Sequence, residues 1–263
     1  MNFWQLLHGL ARIVAARPRV PRALEGNALL RTVLERRSVR EFRPDQIPED
    51  AWAAILEAGR LAPSTVNLQT WAFGVFTAAQ WQEFFGQPVP FGAPRAVIVL
   101  ADTHRMRRVV EGFPRAPLCE HTVGVMNASL AAMNMAVAAE ALGIASVMLS
   151  ETGRTGFYDA GFLAGKLGLP PGVVPVMSIA FGYAKGGAPA MPPKLPLEAV
   201  TFTGTYREAD QAVLDRWYRE QQAGYQASNW GTRFAQQIAY YNRRLLEAER
   251  DLERLIRRSE RED

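Results

Sequence analysis

The longest apolar stretch of the chain, residues 123–142, is the feature that most restricts its fold. It is rich in alanine and methionine and holds no charged residue before Glu140. A helix that is apolar on every side must be buried, and small side chains let neighbouring helices approach closely. Gly143 follows it as a candidate left-handed cap. We therefore predict the central helix of the fold here, placed at a subunit interface.

Four short apolar runs have the length and composition of β-strands. The run at 97–100 is continuous, which is typical of a strand buried on both faces. The predicted strands are 71–77, 95–101, 144–149 and 174–183. Two helices precede them: one at about residues 28–36, capped by Asn27, and one that begins after Pro48 and is stopped by Pro63.

The C-terminal part of the chain has a different composition. A Gly/Pro-rich stretch at 186–196 predicts an extended connector, and residues 206–222 predict a charged helix. From Ile238 onward, apolar residues alternate steps of three and four, which is a heptad pattern. Its members are Tyr241, Leu245, Ala248, Leu252 and Leu255. We predict an outer helix that packs on a partner subunit.

The N-terminus predicts an amphipathic helix. Its apolar residues recur at helical spacing, and four arginines lie at or just beyond its end. Packing onto the protein's own body is the favoured interpretation, and contact with a membrane surface is the alternative. The apolar positions are Phe3, Leu6, Leu7, Leu10, Ile13 and Val14, and the arginines are Arg12, Arg17, Arg19 and Arg22.

Composition excludes several classes of function. Cys119 is the one cysteine, so no intrachain disulfide can form, and a reducing, cytoplasmic location is expected. With three histidines in the chain, no metal site is predicted, and Cys119-Glu120-His121 is interpreted as structural. The sequence contains no run of eighteen apolar residues, so no membrane span is predicted. The net charge of +4 is modest, and no nucleic-acid partner is predicted.

Arginines and a serine alternate in residues 36–40. In an extended segment the side chains of Arg36, Ser38 and Arg40 point to one side. Arginine suits phosphate because its planar guanidinium donates two parallel hydrogen bonds and stays charged. On spacing alone, a solvated basic turn is the favoured interpretation and a phosphate cradle is the alternative.

A polar loop follows the second helix and carries Ser64, Thr65, Asn67 and Gln69. These side chains suit the edge of a heteroaromatic ring, although helix capping and turn formation use the same residues. The chain has neither a G-x-G-x-x-G after a strand nor a G-x-x-x-x-G-K-[ST] motif. A bound nucleotide would therefore not be held in the Rossmann or P-loop manner. The sequence also shows no recognisable Ser-His-Asp catalytic triad.

In residues 28–200 the chain resembles the FMN-dependent nitroreductase and flavin reductase family. The resemblance depends on four motifs in the right order. They are 36–42 (Arg-Arg-Ser-Val-Arg-Glu-Phe), 62–71 (Ala-Pro-Ser-Thr-Val-Asn-Leu-Gln-Thr-Trp), 138–143 (Ala-Ala-Glu-Ala-Leu-Gly), and 167–170 (Leu-Gly-Leu-Pro) leading to 180–183 (Ala-Phe-Gly-Tyr). The resemblance implies an α+β fold, with a central, mostly antiparallel sheet flanked by helices, in an intertwined homodimer with two FMN sites.

The resemblance also implies the residues of the flavin site. Arg36, Ser38 and Arg40 would hold the ribityl phosphate beside Arg37, and Lys194 would complete that site. The turn at Ser150 and Glu151 would offer backbone N–H groups to flavin N5 and O4. From the other subunit, the residues against the ring and ribityl chain would be Pro63, Ser64, Thr65, Asn67 and Gln69.

The implied activity is a ping-pong transfer of hydride. NAD(P)H would reduce FMN at N5, and an acceptor such as a nitroaromatic, a quinone or free flavin would then replace the nicotinamide. No catalytic side chain is predicted. The segment 102–119 is expected to be a mobile loop or short helix over the site. Its Arg105, Arg107 and Arg108 are candidates for NADPH phosphate contact, although a solvated loop is the favoured interpretation.

Two departures from the family pattern leave alternatives open. Glu151 and Thr152 stand where paired glycines are usual, and Pro192 and Pro193 replace one of two basic residues before Lys194. Three alternatives remain: a same-fold dehydrogenase, dehalogenase or flavin-converting enzyme; a non-catalytic flavin-binding module; and a peripheral membrane or scaffold protein that uses the N-terminal helix and the heptad segment. The predicted division is an N-terminal amphipathic extension (1–26), an FMN-binding domain (27–200) and a helical extension packed on the dimer (201–263).

Overall fold

Four strands form one sheet in the computed structural model of the protein, which describes residues 3–18, 20–111, 113, 116–228 and 233–258. In chain order they are β1 (Trp71–Thr77), β2 (Arg95–Asp102), β3 (Ala145–Leu149) and β4 (Val173–Gly182). Their spatial order is β1-β2-β4-β3, and each neighbouring pair is antiparallel. The predicted α+β class is confirmed, and every predicted strand boundary lies within one residue of the observed one.

Helices cover both faces of this sheet. The described α-helices are α1 (Phe3–Ala15), α2 (Ala28–Glu35), α3 (Glu49–Arg60), α4 (Ala78–Phe85), α5 (His104–Val109), α6 (Pro117–Ala141), α7 (Ala160–Leu167), α8 (Gln211–Ser228) and α9 (Phe234–Arg257). Helices α3 and α6 pack on one face, and α4 and α7 pack on the other. Asn27 caps α2 as predicted, since its side chain accepts the Leu30 N–H at 2.9 Å.

Strand β2 is the centre of the core because it is buried along its whole length. Val97, Val99 and Ala101 face α3 and α6, whereas Ile98 and Leu100 face α4 and α7. This alternation follows from the two-residue period of a strand. It confirms the prediction, made from the continuous apolar run, that both faces of this strand are covered.

Helix α6 begins at Pro117, six residues before the predicted start. The helix extends further because Pro117 suits a first turn and the Glu120 carboxylate accepts the Ala116 N–H at 2.9 Å. Its end agrees with the prediction: Gly143 has a φ of 70°, and the Ile144 N–H donates to the Ala139 carbonyl at 2.8 Å. Apolar length alone missed the first two turns because they carry polar residues.

Two further segments can be compared with their predictions. The segment 102–119 contains the short helix α5, and a short helix was one of the two forms expected there. The charged helix predicted at 206–222 begins instead at Gln211. Asp210 explains the later start, since its carboxylate accepts the Ala212 N–H at 2.8 Å and so caps the helix there. The connector at 186–196 holds no helix or strand, as predicted.

The chain divides into two compact units that each draw on both ends of the sequence. The first contains Met1–Arg22 and Pro189–Arg243, and the second contains Ala23–Ala188 and Arg244–Asp263. Within the first unit α1 packs on α8, so closely that a Cβ on Gly9 would lie 2.5 Å from the Ala223 Cβ. The favoured interpretation of the N-terminal helix agrees with this contact. The three-part functional division stays a prediction.

The last turns of α9 belong to the second unit, where they pack on α7 and β4. Leu255 is buried against Ala160 and Ala164 of α7 and Val174 of β4. Arg244 forms an ion pair with Asp159 at 3.0 Å. The predicted heptad pattern is therefore used in part within the same chain, whereas Leu245 on this helix stays exposed.

Among the described residues, α6 is the one helix whose length and composition would let it cross a membrane. It is also the core helix: nine of its residues are buried, and five of these belong to the core cluster that α6 forms with the sheet and α3. The core helix of a globular domain can have the same length and apolar composition as a membrane span. Burial in the core is the simpler explanation of the composition of α6.

Candidate functional site

The arginine-rich segment leaves the end of α2 in an extended conformation. Val39 donates its N–H to the Ser146 carbonyl of β3 at 3.1 Å and packs its side chain into the core. Arg37 turns back on α2, where its guanidinium donates to the carbonyls of Leu34 and Arg36, each at 2.8 Å. Arg37 therefore caps the helix, and the segment is fixed at the edge of the sheet.

Arg36 and Arg40 have no hydrogen bond or ion pair from their guanidiniums within the described residues. Arg36 is half-buried and Arg40 is exposed. Burial raises the pKa of the Glu140 carboxyl, and the positive charges of Arg36 and Arg37 oppose that rise. Ser146 adds a buried hydroxyl that lacks a described partner, beside the bridge it forms with Ser38. The guanidiniums of Arg36 and Arg40 thus donate to no acceptor among the described residues, which leaves them available to an anion.

The polar loop after α3 is held in a strained conformation. Val66, Asn67 and Gln69 have φ values of 50°, 55° and 49°. Such values are uncommon for residues other than glycine, and for valine they are an outlier. The Ser64 hydroxyl accepts the Gln69 N–H at 3.0 Å, which closes the loop. Strained backbone held by its surroundings is characteristic of functional sites.

Asn127 of α6 anchors this loop from below. Its side-chain oxygen accepts the Thr65 N–H at 3.1 Å, and its amide nitrogen donates to the Thr70 hydroxyl at 2.8 Å. Asn127 is 1% exposed, and its bond to Thr70 is buried while its bond to Thr65 is partly buried. The side chains of Pro63, Thr65, Asn67 and Gln69 remain exposed above it. The anchoring leaves these groups accessible and fixed in position.

A tight turn follows β3 at residues 151–154. The Arg154 N–H donates to the Glu151 carbonyl at 3.1 Å, and Gly153 adopts a φ of 70°. The N–H groups of Thr152 and Gly153 have no acceptor in the part of the chain that the structure describes. Ser150 is exposed and Glu151 is half-buried. The predicted role of Ser150 and Glu151 in offering backbone N–H groups to a flavin stays a prediction.

Two of the three arginines of α5, Arg105 and Arg107, are engaged within the protein, whereas Arg108 is exposed. Arg105 forms an ion pair with Asp102 at 2.8 Å and donates to the Trp71 carbonyl. Arg107 forms an ion pair with the buried Glu120 at 2.8 Å. The favoured interpretation of these residues as a solvated loop is wrong for both, because they join α5 to β1, β2 and α6. Glu120 is structural, as interpreted from the sequence.

Lys194 lies in the first compact unit, where its side chain is exposed. Its predicted contact with the phosphate stays a prediction.

The nitroreductase family model matches residues 33–85 and 78–183, which is more than half of the chain. The chain belongs to the nitroreductase family. A nitroreductase of this family is an oxidoreductase, and the matched region holds the arginine segment, the strained loop, α6 and the sheet.

Individual relatives agree with this assignment. A putative NADH dehydrogenase/NAD(P)H nitroreductase from Archaeoglobus fulgidus is 30% identical over 161 residues, which cover 59% of this chain and 85% of that protein. An FMN reductase [NAD(P)H] from Bacillus subtilis is 25% identical, covering 83% of this chain and 92% of that one. The solved structure of a hypothetical oxidoreductase from Bacillus subtilis has a TM-score of 0.68 at 26% identity, covering 86% and 97% of the two chains.

The sequence analysis did not identify Asn127 and Thr70 as the residues that support the strained loop at 63–70. A signal was present in the sequence, because Asn127 is a polar amide within the mainly apolar stretch 123–142. A buried amide must find hydrogen-bond partners, and a polar loop near the start of a strand could supply them. Sequence alone did not indicate which loop, since the two residues that Asn127 joins to α6 lie more than fifty positions away.

Proposed function

We propose that this nitroreductase is an FMN-dependent enzyme that uses NAD(P)H to reduce a small-molecule acceptor. The observation that carries the proposal is the pair of unpaired guanidiniums, Arg36 and Arg40, on either side of Ser38 in a chain of this family. Relatives named FMN reductase support the choice of flavin and nicotinamide.

Arg36, Ser38 and Arg40 would bind the ribityl phosphate. Two guanidiniums and a hydroxyl match the oxygens of a phosphate dianion, and charge-assisted bonds of this kind are roughly twice as strong as neutral ones. Arg37 would contribute by holding the end of α2 in place, since its guanidinium already caps that helix. Lys194 would add a further positive charge.

The strained loop would orient the flavin ring. Pro63, Ser64, Thr65, Asn67 and Gln69 would do so from the partner subunit, with the loop held rigid by Asn127. The turn at Ser150 and Glu151 would place backbone donors near the reacting edge of the ring. Exposed polar groups on a rigid support suit this role, because a ligand then binds without the cost of ordering them.

Bound FMN supplies the hydride acceptance and donation in this chemistry, and no side chain is needed as an acid or base. The nicotinamide and the acceptor would use one site in turn, which gives ping-pong kinetics. Nitroaromatics, quinones and free flavin are the acceptors we expect, in the cytoplasm.

A homodimer would complete the site. On α6, Met126, Leu130 and Met133 are exposed at steps of four and three, so they share one helix face. Leu29 and Val33 form a similar exposed pair on α2. Exposed apolar patches of this kind mark interfaces, and burial in a second copy is the use that fits a nitroreductase.

The test is a titration of the purified protein with FMN, followed by anaerobic mixing with NADH and with NADPH. We expect a yellow protein whose flavin absorbance bleaches with one or both nicotinamides and returns when a nitroaromatic or quinone is added. Steady-state rates with several concentrations of both substrates should give parallel double-reciprocal lines. A protein that stays colourless with added FMN would refute the proposal, and bound flavin that neither nicotinamide bleaches would show a binding module.

A further inference from the structure

The exposed side of α1 carries an apolar face next to the exposed His8 and Arg12. Trp4, Leu7, Ala11 and Val14 are all exposed, and their steps of three, four and three place them on one side of the helix. Trp4 is 71% exposed and Val14 is 68% exposed. The opposite side is occupied, since Gly9 and Ile13 pack against Ala223 and Gly224 of α8. The printed contacts between α1 and α8 thus involve Gly9 and Ile13, while most of the Trp4 side chain stays exposed.

The net positive charge of the chain lies in the sequence segment that contains this helix. Residues 1–24 contain four arginines and no aspartate or glutamate, and the first acidic residue is Glu25. The whole chain has 30 basic and 26 acidic residues, so the remaining 26 cations are balanced by 26 carboxylates. The net charge of +4 is therefore the charge of this segment alone.

The individual arginines contribute unequally. Arg12 forms an ion pair with Glu220 of α8 at 2.7 Å, so its charge is largely neutralised. Arg17 caps the end of α1 by donating to the carbonyls of Val14 and Ala16, and it keeps its positive charge. Arg22 is exposed and lies just beyond the helix. Uncompensated charge thus lies at the Val14 end of the apolar face.

We propose that this face of α1 docks on an anionic lipid bilayer. An apolar stripe with basic residues and no acidic ones fits the boundary between acyl chains and negatively charged headgroups. Tryptophan is enriched at that depth because its ring is amphipathic. A second copy of the same face is a poorer occupant, since two acid-free basic segments repel each other.

Vesicle sedimentation with the full-length protein tests the proposal. The protein should pellet with phosphatidylcholine vesicles that contain phosphatidylserine, and much less with phosphatidylcholine alone. Raising the salt from about 0.1 M to about 1 M should weaken binding, because the Debye length shrinks from about 10 Å to about 3 Å. Failure to pellet with anionic vesicles at low salt would overturn the proposal.

Two variants and a matched control locate the effect. Replacing Trp4, Leu7 and Val14 together by serine should weaken vesicle binding more than about tenfold. The variant Arg17→Gln/Arg22→Gln should weaken it about fivefold for each charge removed. As the control, Leu197→Ser/Val200→Ser removes two exposed apolar side chains of the same unit, 73% and 59% exposed, and should bind as the parent does.

Circular dichroism and sedimentation equilibrium without lipid accompany these assays. If the triple variant binds vesicles as tightly as the parent, the proposal is wrong. It is also wrong if that variant changes the native mass of the protein, because the face is then a contact between subunits. Should the triple variant fail to fold, the arginine variant decides, and unchanged vesicle binding would count against the proposal.

Discussion

Two arginine clusters in this nitroreductase have similar composition and opposite environments. In the segment at 36–40, Arg36 and Arg40 have no carboxylate or carbonyl partner among the described residues. In α5, Arg105 and Arg107 each form an ion pair at 2.8 Å. The sequence shows both as short basic runs, and a search for basic runs would rank them alike.

Whether an arginine already has a partner within the protein, rather than the local density of charge, therefore indicates an anion site. A guanidinium already bonded to a buried carboxylate must break that bond to bind a phosphate, and the carboxylate left behind is destabilised. A guanidinium without a partner loses only water. The first kind of cluster stabilises the fold, and the second is available to a ligand.

The largest expected effect is on flavin affinity. The variant Arg36→Gln/Arg40→Gln should weaken FMN binding about 100-fold or more, since each charge-assisted hydrogen bond contributes about 1.5–3 kcal/mol. Thermal stability should change little because neither guanidinium holds the fold together. Fluorescence titration of the apoprotein measures the affinity. Arg31→Gln/Arg43→Gln, which removes two charges flanking the segment, is the control, and equal weakening there would contradict the distinction.

The converse variant tests the structural cluster. Arg107→Gln leaves the Glu120 carboxylate buried without its partner and should lower the free energy of unfolding by about 2–4 kcal/mol. FMN affinity should be unchanged. Chemical denaturation measures the stability, and the double variant Arg107→Gln/Glu120→Gln should recover most of the loss. A large fall in FMN affinity without a loss of stability would show that this cluster is also a ligand site.

A third variant asks how far the strained loop depends on its anchor. Asn127→Ala removes the buried acceptor of the Thr65 N–H and should cost about 1–3 kcal/mol of stability. FMN affinity should fall by about three- to tenfold because the loop must then be ordered on binding. Asn134→Ala on the same helix, which bonds the Ala58 carbonyl instead, should lose stability and keep its flavin affinity.

The smallest effect is the pH dependence at His121, which lines a small cavity beside Arg107 and Glu120. Burial lowers the pKa of His121, so the folded protein binds this proton less readily than the unfolded chain does. The resulting stability is present above the ordinary pKa of about 6.5 and is lost as the pH falls through it.

His121→Gln should therefore flatten the decline in melting temperature below about pH 6.5. The imidazole is partly exposed, and the expected difference is less than about 0.5 kcal/mol. Calorimetric scans of parent and variant across this pH range measure it. A variant that declines as steeply as the parent would show that other groups carry the acid sensitivity.

The sequence predicted the sheet closely and the helix boundaries less well. The strands could be predicted because short continuous or alternating apolar runs are typical of strands, as in β2. The start of α6 was missed because its first two turns are polar and depend on Pro117 and Glu120 rather than on apolar spacing. The start of α8 depended in the same way on the local cap at Asp210.

The candidate site divides along the same line. The candidate residues could be selected from the order of the motifs along the chain, from Arg36 to the 180–183 segment. Which arginines are paired, and that Asn127 supports the loop, became visible in the three-dimensional structure. Hydrogen bonds and ion pairs between residues far apart in the chain depend on how helices pack on the sheet, and spacing along the sequence does not determine that.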